Sequence, residues 1–385
     1  MKKKPCTCPL CAKGDYNPAD YMVDLSELDR ERPCGVSGLM RVKNEARWVA
    51  QSIDSCIDAL DELIICYQES TDETAEILEL KRRQYPDKIR TFFYAPPVYA
   101  HNLSKEDFQY AVGLPEDSIH LLSNYYNYTL TKASYRYAVK IDADQIYFSA
   151  RLKLLCDAYR NESKQKITLG ENMAEWCVKI FPILLYHRFK PFTWRLIDFL
   201  PFQKTILKQY QSYLLKQVCQ TKCMIILSGI NLSKRNGKWG IPAFRENLGL
   251  QLAFNGGGDH WVFEISDQTY FYPAYQTYDR KEVTEKNIYN GFYKTRRIIE
   301  YFHYKNVLPL YGGFYWYHMK FVDCKEVEGH FIDQKVELTD FLKMSLRDLV
   351  KNKILDIRKY HFKYHLFSFV CDKNIPFPEE IIKEK

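Results

Sequence analysis

The sequence predicts an α/β protein built on a mostly parallel, doubly wound sheet of the Rossmann-like kind, with a helical insertion near its middle and a helical extension at its C-terminus. Three observations carry this. Short apolar runs alternate with helix-periodic stretches through the first 150 residues, the pattern of successive βαβ units. The run at 137–141, YAVKI, is apolar enough for a buried central strand and breaks off in the acidic Asp142-Ala143-Asp144. A carboxylate pair there lies where open α/β sheets bind ligands, outside the carboxyl ends of the strands.

Composition sets the bounds. At 385 residues the chain is long enough for one large or two modest domains, and 46% hydrophobic content marks it as globular. Its 30 Tyr and 23 Phe suit packed cores, sugar-stacking surfaces and membrane interfaces alike. The net charge of +7 gathers in the middle and the C-terminal third, which favours an anionic partner there, and no nucleic acid is expected. No run of about 18 apolar residues predicts a membrane span. Lys2 to Lys4 precede Cys and Pro instead of an apolar signal segment, so the expected location is cytoplasmic, with the 12 cysteines mostly reduced.

The elements follow in order. Residues 1–38 form an irregular leader holding Cys6, Cys8, Cys11 and Cys34. Four thiols could close a tetrahedral zinc site, but C-x-C-x2-C with a distant fourth Cys is not a common ligand spacing, and free cysteines are the other reading. A strand is expected at 38–43, a turn at Asn44, and a helix from about 45 to 60 burying Val49, Ile53, Ile57 and Leu60. A second strand covers 62–67. Ser70 and Glu73 then suggest a capping box for a helix ending near Tyr85. A third strand at 88–94, a loop at 95–118 and a helix at 119–133 lead into the acidic strand.

Residues 160–220 read as an insertion, broken by Pro182, Pro191 and Pro201. Within it Arg188, Lys190, Arg195, Lys204, Lys208 and Lys216 interleave with Phe189, Phe192, Trp194, Phe199, Phe202, Tyr210 and Tyr213. Bases beside interfacial aromatics suit a segment lying on an anionic bilayer. An ordinary helical subdomain or a dimer contact is the alternative. The sheet resumes at 223–232, with a hairpin through Asn236-Gly237 into 239–244. In Asn255-Gly256-Gly257-Gly258-Asp259-His260-Trp261 the glycines allow close approach of backbone to a ligand. Read by itself, Asp259 is the N-cap of a short helix beginning at Trp261. His318 lies in an aromatic run, Tyr315 to Tyr317 before it, that closes the main domain near 325. The extension, 326–385, is expected to be helical, with Thr339 capping a helix that carries Phe341, Leu342, Leu346 and Leu349.

The ordered set MRVKNEA, STDET, NYYNYTLTKASYRYAVKIDAD, GGGDHW and YH resembles the GT-A glycosyltransferases, the nucleotide-diphospho-sugar transferase fold. More closely, it is similar to the bacterial lipooligosaccharide β-1,4-N-acetylgalactosaminyltransferases. The likeness covers most of 39–325, with a nucleotide-sugar-binding half at 39–159 and an acceptor-side half at 221–325. It implies inverting transfer of a sugar from a UDP donor, GalNAc favoured over Gal or GlcNAc, to a surface glycan or glycolipid at the inner face of the cytoplasmic membrane. It also implies Mn²⁺, or Mg²⁺, held by Asp142, Asp144 and His318, with Asp144 the more direct carboxylate. Donor contacts would come from Val42, Lys43, Glu45, Gln68, Asp142, Ala143 and Asp144, acceptor contacts from His260 and Trp261, and proton abstraction from Asp259. Gln68 stands where many relatives carry Asp against uracil; an amide can pair with the base through donor and acceptor together. The chemistry is coherent, because a divalent ion stabilises the charge that a departing diphosphate gains.

Two other classes compete. A nucleotidyltransferase usually carries a Gly-rich phosphate loop after the first strand, where this chain has Lys43-Asn44-Glu45. A non-enzymatic protein binding a membrane or polyanion would explain the basic aromatic segments but not the order of the acidic, glycine-rich and YH motifs.

Overall fold

The computed structural model describes residues 6–186, 203–245, 252–277, 288–290, 295–305, 307, 309–327, 330–345, 348 and 375–382. Apolar runs form β1 (Val36–Val42), β2 (Glu62–Tyr67), β3 (Ile89–Phe93) and β4 (Tyr137–Asp142), which pair in parallel in the order β3-β2-β1-β4. The sheet continues through β9 (Phe254–Glu264), antiparallel to β4 and to β6 (Met224–Asn231). Beyond β6 lie β13 (Pro309–His318), parallel to it, and β5 (Gln145–Tyr147), antiparallel at the edge. The parallel strands all end on one side. Asp142, Asn231 and His318 therefore share an edge with the turn after Val42 and the start of β9.

The expected helix from 45 begins later, as Val49–Cys56 followed by a 3-10 turn at Ile57–Ala59. Asn44 takes a φ of 55°, and side chains from the next loop accept from the backbone amides: Ser70 Oγ from Asn44 at 3.1 Å, Thr74 Oγ1 from Glu45 at 2.8 Å and Asp72 Oδ2 from Ala46 at 3.1 Å. These contacts replace the Ser70/Glu73 capping box. Ser70 serves Asn44, and Asp72 Oδ1 accepts from the Thr74 amide at 3.1 Å to start the helix Thr74–Gln84. The loop at 95–118 holds a helix, Lys105–Gly113, that was not expected; Ser104 Oγ accepts from the Asp107 amide at 3.0 Å and caps it. Leu122–Thr131 is shorter than the 119–133 expected.

In the insertion, helices Leu169–Tyr186 and Gln203–Thr221 frame 187–202, and the first runs through Pro182 instead of breaking there. Ala174, Val178, Tyr210, Tyr213, Leu214 and Val218 join the main apolar core, and Tyr210 donates to the Tyr311 carbonyl at 2.7 Å. Tyr210 and Tyr213 are thus core residues and not interfacial ones. Phe189, Phe192, Trp194, Phe199 and Phe202 lie outside the described residues, as do Arg188, Lys190 and Arg195.

Two smaller sheets flank the main one. β10 (Thr269–Thr277) pairs with β11 (Ile288–Asn290) and β12 (Arg297–Tyr304). β7 (Ser233–Arg235) and β8 (Lys238–Phe244) form a hairpin whose turn, Asn236-Gly237, has φ of 50° and 75°, and they join β14 (Glu326–Val327) and β15 (His330–Glu337). The start of the C-terminal extension is therefore strand and not helix. Its residues alternate, His330 and Ile332 buried and Phe331 exposed, which is a period of two. The helix that follows is short, Leu338–Lys343, with Glu337 at its cap position instead of Thr339; Leu346 and Leu349 lie outside the described residues. Among the described residues no helix is long and apolar enough to cross a membrane.

Candidate active site

Asp144 and His318 meet at the shared strand edge, with Oδ2 and Nε2 3.0 Å apart. The neighbours decide which hydrogen the imidazole carries. Asn231 Nδ2 donates to the carbonyls of Leu252 at 2.7 Å and Phe254 at 3.2 Å, which fixes Asn231 Oδ1 as an acceptor. That oxygen lies 2.6 Å from His318 Nδ1, so the hydrogen belongs on Nδ1. A neutral His318 then turns the Nε2 lone pair toward the Asp144 carboxylate. Two acceptors at this distance repel unless a proton or a cation sits with them. An imidazole oriented by a second-shell amide beside carboxylates is a donor set that fits Mn²⁺.

Asp142 is held differently. Its Oδ2 lies 2.8 Å from His260 Nε2 and accepts from Gln145 Nε2 at 3.3 Å, while Arg41 Nη2 approaches Oδ1 at 3.6 Å. Burial favours its neutral form, but Lys140, His260 and Arg41 outweigh that and hold the carboxyl well below the usual carboxylate range. Arg41 is braced in turn, its guanidinium 3.6 Å from the centre of the Tyr126 ring. Asp142 Oδ2 is thus engaged by protein groups, and Asp144 is the carboxylate that faces His318.

Glu45 lies close enough to the acidic turn to feel its charge. Burial, with Asp144 and Asp142 nearby, pushes its carboxyl up to about 8. The positive φ of Asn44 and the caps on the Glu45 and Ala46 amides fix the backbone that carries this side chain.

The other expected residues distribute as follows. Val42 and Ala143 have buried side chains, so only their backbone can face a donor, whereas Lys43 is exposed. Gln68 Nε2 donates to the Pro96 carbonyl at 2.9 Å, leaving one amide hydrogen and its oxygen. The acceptor roles do not fit. His260 is 1% exposed and positions Asp142; Trp261 is 4% exposed and stacks on Phe302 at 4.5 Å inside the core. The short helix from Trp261 is also absent, because β9 runs through it. Asp259 falls within the span of β9, but its side chain lies outside the described residues. Gly256 is explained by packing: its φ is 77°, and a Cβ there would lie 2.8 Å from the Leu227 carbonyl oxygen and 2.9 Å from Trp316.

Arg41, Gln145 and Asn231 were not foreseen. Each is a polar residue inside an otherwise apolar strand, which is the signal that could have found them, since such groups must be paired.

Residues 13–168 match the family model described as beta-1,4-N-acetylgalactosaminyltransferase (CgtA). Over that stretch the chain resembles this family. The match includes Glu45, Gln68, Asp142 and Asp144 and stops short of His260 and His318. Among similar solved structures is glucosyl-3-phosphoglycerate synthase from Mycobacterium tuberculosis in complex with Mn²⁺, UDP and phosphoglyceric acid, at 21% identity over 32% of this chain and 36% of that chain, TM-score 0.19. Another is S. aureus TarS 1-349, at 18% identity over 31% of this chain and 30% of that chain, TM-score 0.20. The chain thus spans a minority of either protein's length. No curated protein matches. The architecture is GT-A: parallel β3-β2-β1-β4, a central antiparallel β9, and the acidic turn at the carboxyl end of β4.

Proposed function

We propose that this chain is a metal-dependent glycosyltransferase that moves a sugar, GalNAc for preference, from UDP to a hydroxyl of a bacterial surface glycan or lipooligosaccharide, with inversion. The observation that carries the reading is the 3.0 Å approach of Asp144 Oδ2 to His318 Nε2, with Asn231 occupying His318 Nδ1 and Glu45 within reach of the Asp144 charge, at the edge where β1, β4, β6 and β13 end. Asp144, His318 and Glu45 would hold Mn²⁺ or Mg²⁺, with Asp142 ordering the turn from behind. A bound cation there neutralises charge growing on the diphosphate leaving group. Lys43, the backbone at Val42 and the remaining amide hydrogen of Gln68 line the way to the nucleotide. Asp259 takes the proton of the attacking hydroxyl, a role that rests on its sequence pattern.

A lipid-linked acceptor would be met at a membrane surface. Leu169, Met173 and Trp176 support such peripheral contact, being 77%, 60% and 61% exposed on one stripe of a helix, and the helix Gln203–Thr221 exposes the bases Lys204 and Lys208. The test is UDP release from a panel of UDP-sugars with a lipooligosaccharide acceptor. UDP-GalNAc should be turned over with Mn²⁺ and not with EDTA. No UDP from any donor, or pyrophosphate release from a sugar phosphate and UTP, would overturn the reading.

A further inference from the structure

The leader carries a second cluster, far from the carboxylates in chemistry. Cys6, Cys8, Cys11 and His120 place their ligand atoms within 4.8 Å of one another. His120 Nε2 lies 3.2 Å from both Cys8 Sγ and Cys11 Sγ, and the imidazole is fully buried. Its other nitrogen is 2.8 Å from the Pro97 carbonyl, which can only accept, so Nδ1 carries the hydrogen and the Nε2 lone pair points at the sulfurs. Metal-bound histidines are oriented in this way by a backbone carbonyl. Cys34 stands apart, exposed, with its Sγ 3.8 Å from the Tyr159 carbonyl. The fourth member of the set is therefore His120 and not the fourth leader cysteine.

We propose that Cys6, Cys8, Cys11 and His120 form a structural zinc site that fastens the leader to the body of the protein. A tetrahedral Cys3His site with ordinary Zn–S and Zn–N lengths has S···S edges of about 3.8 Å and S···N edges of about 3.6 Å, close to the spacing present. Three thiolates and an imidazole close the site with no open position for water, and soft sulfur donors select zinc over Mn²⁺ or Mg²⁺. The short helix Pro9–Lys13 brings Cys11 to the cluster, with Cys8 at its cap position. The site braces a chosen segment. The Pro97 carbonyl accepts from His120, and the neighbouring Pro96 carbonyl accepts from Gln68, so the metal would stiffen the loop that backs Gln68.

The test is zinc content by inductively coupled plasma mass spectrometry on the purified full-length chain, with cobalt substitution. Wild type and Cys34→Ser should each carry one zinc per chain, and Cys8→Ser with Cys11→Ser should fall to background. Because that double variant can fail to fold, His120→Cys is paired with it: the variant should keep the metal, and its Co²⁺ form should show a stronger thiolate-to-cobalt charge-transfer band than wild type. Zinc-free wild type, equal zinc in the double variant, a cobalt spectrum without thiolate charge transfer, or a disulfide between two of the three cysteines would each overturn the proposal.

Discussion

Replacing Asn231 by Leu separates the fold from the metal. Asn231 is 4% exposed and makes three bonds: from Nδ2 to the Leu252 and Phe254 carbonyls, and at Oδ1 with His318 Nδ1. Leu fills a similar volume and makes none of them. At about 1 kcal/mol net per bond the variant should lose roughly 3 kcal/mol of stability. The imidazole is no longer locked in the Nδ1–H tautomer, and losing such a second-shell partner lowers metal affinity about 10- to 100-fold, or about 1.4 to 2.7 kcal/mol. Thermal unfolding in EDTA reads the first effect; calorimetric Mn²⁺ titration below the unfolding temperature reads the second. Asn231→Asp keeps the acceptor for His318 and should hold metal affinity while still losing stability. A folded Asn231→Leu protein that binds Mn²⁺ as wild type does would refute the argument that Asn231 presents His318 to a cation.

Glu45 gives a pH signature. Its carboxyl titrates at about 8 when folded, against an ordinary 4.5, so between those values the folded metal-free chain holds a proton that the unfolded chain has lost. Metal-free stability should therefore fall as pH rises from 4.5 to 8 and then level off, while Mn²⁺ affinity climbs toward pH 8 as the proton becomes easier to expel. Glu45→Gln should flatten both curves, and unchanged slopes in calorimetry would remove Glu45 from the cluster. Asp259→Asn should lower turnover by roughly a hundredfold with UDP-sugar affinity nearly unchanged; lost affinity with surviving turnover would make Asp259 a donor contact. Wild type should sediment with phosphatidylglycerol vesicles at low salt and be released at high salt, and a Trp176→Ala, Lys204→Gln, Lys208→Gln variant should stay in the supernatant. Equal binding by both proteins, or by neither, would rule this face out as the membrane contact.

The parallel half of the sheet was legible because each of β1 to β4 is a short apolar run with a helix-periodic stretch or an acidic stop beside it. The central antiparallel β9 was not. Its glycines and polar residues look like a loop, and it is a strand because β4 and β6, distant in sequence, pair with it on either side. The same pairing accounts for Trp261, whose burial follows from the strand and is hidden when a short helix is expected to begin there. Asp142 and Asp144 could be found from their position at a strand end, but the division of labour between them could not, since Arg41 and His260 reach Asp142 from two distant parts of the chain. His120 was invisible for a similar reason: Cys11 lies 109 residues before it, and no local spacing links them.

The central claim is that Asp144 and His318 bracket a divalent cation that UDP shares. It is tested most directly by electron paramagnetic resonance of unbound Mn²⁺, titrated into wild type, Asp144→Asn and His318→Ala with and without UDP. Wild type should bind one Mn²⁺ per chain, tightened by UDP, and both variants should leave the ion free at the same concentrations while unfolding near the wild-type temperature. Mn²⁺ binding by folded Asp144→Asn equal to that of wild type, with UDP coupling intact, would contradict it.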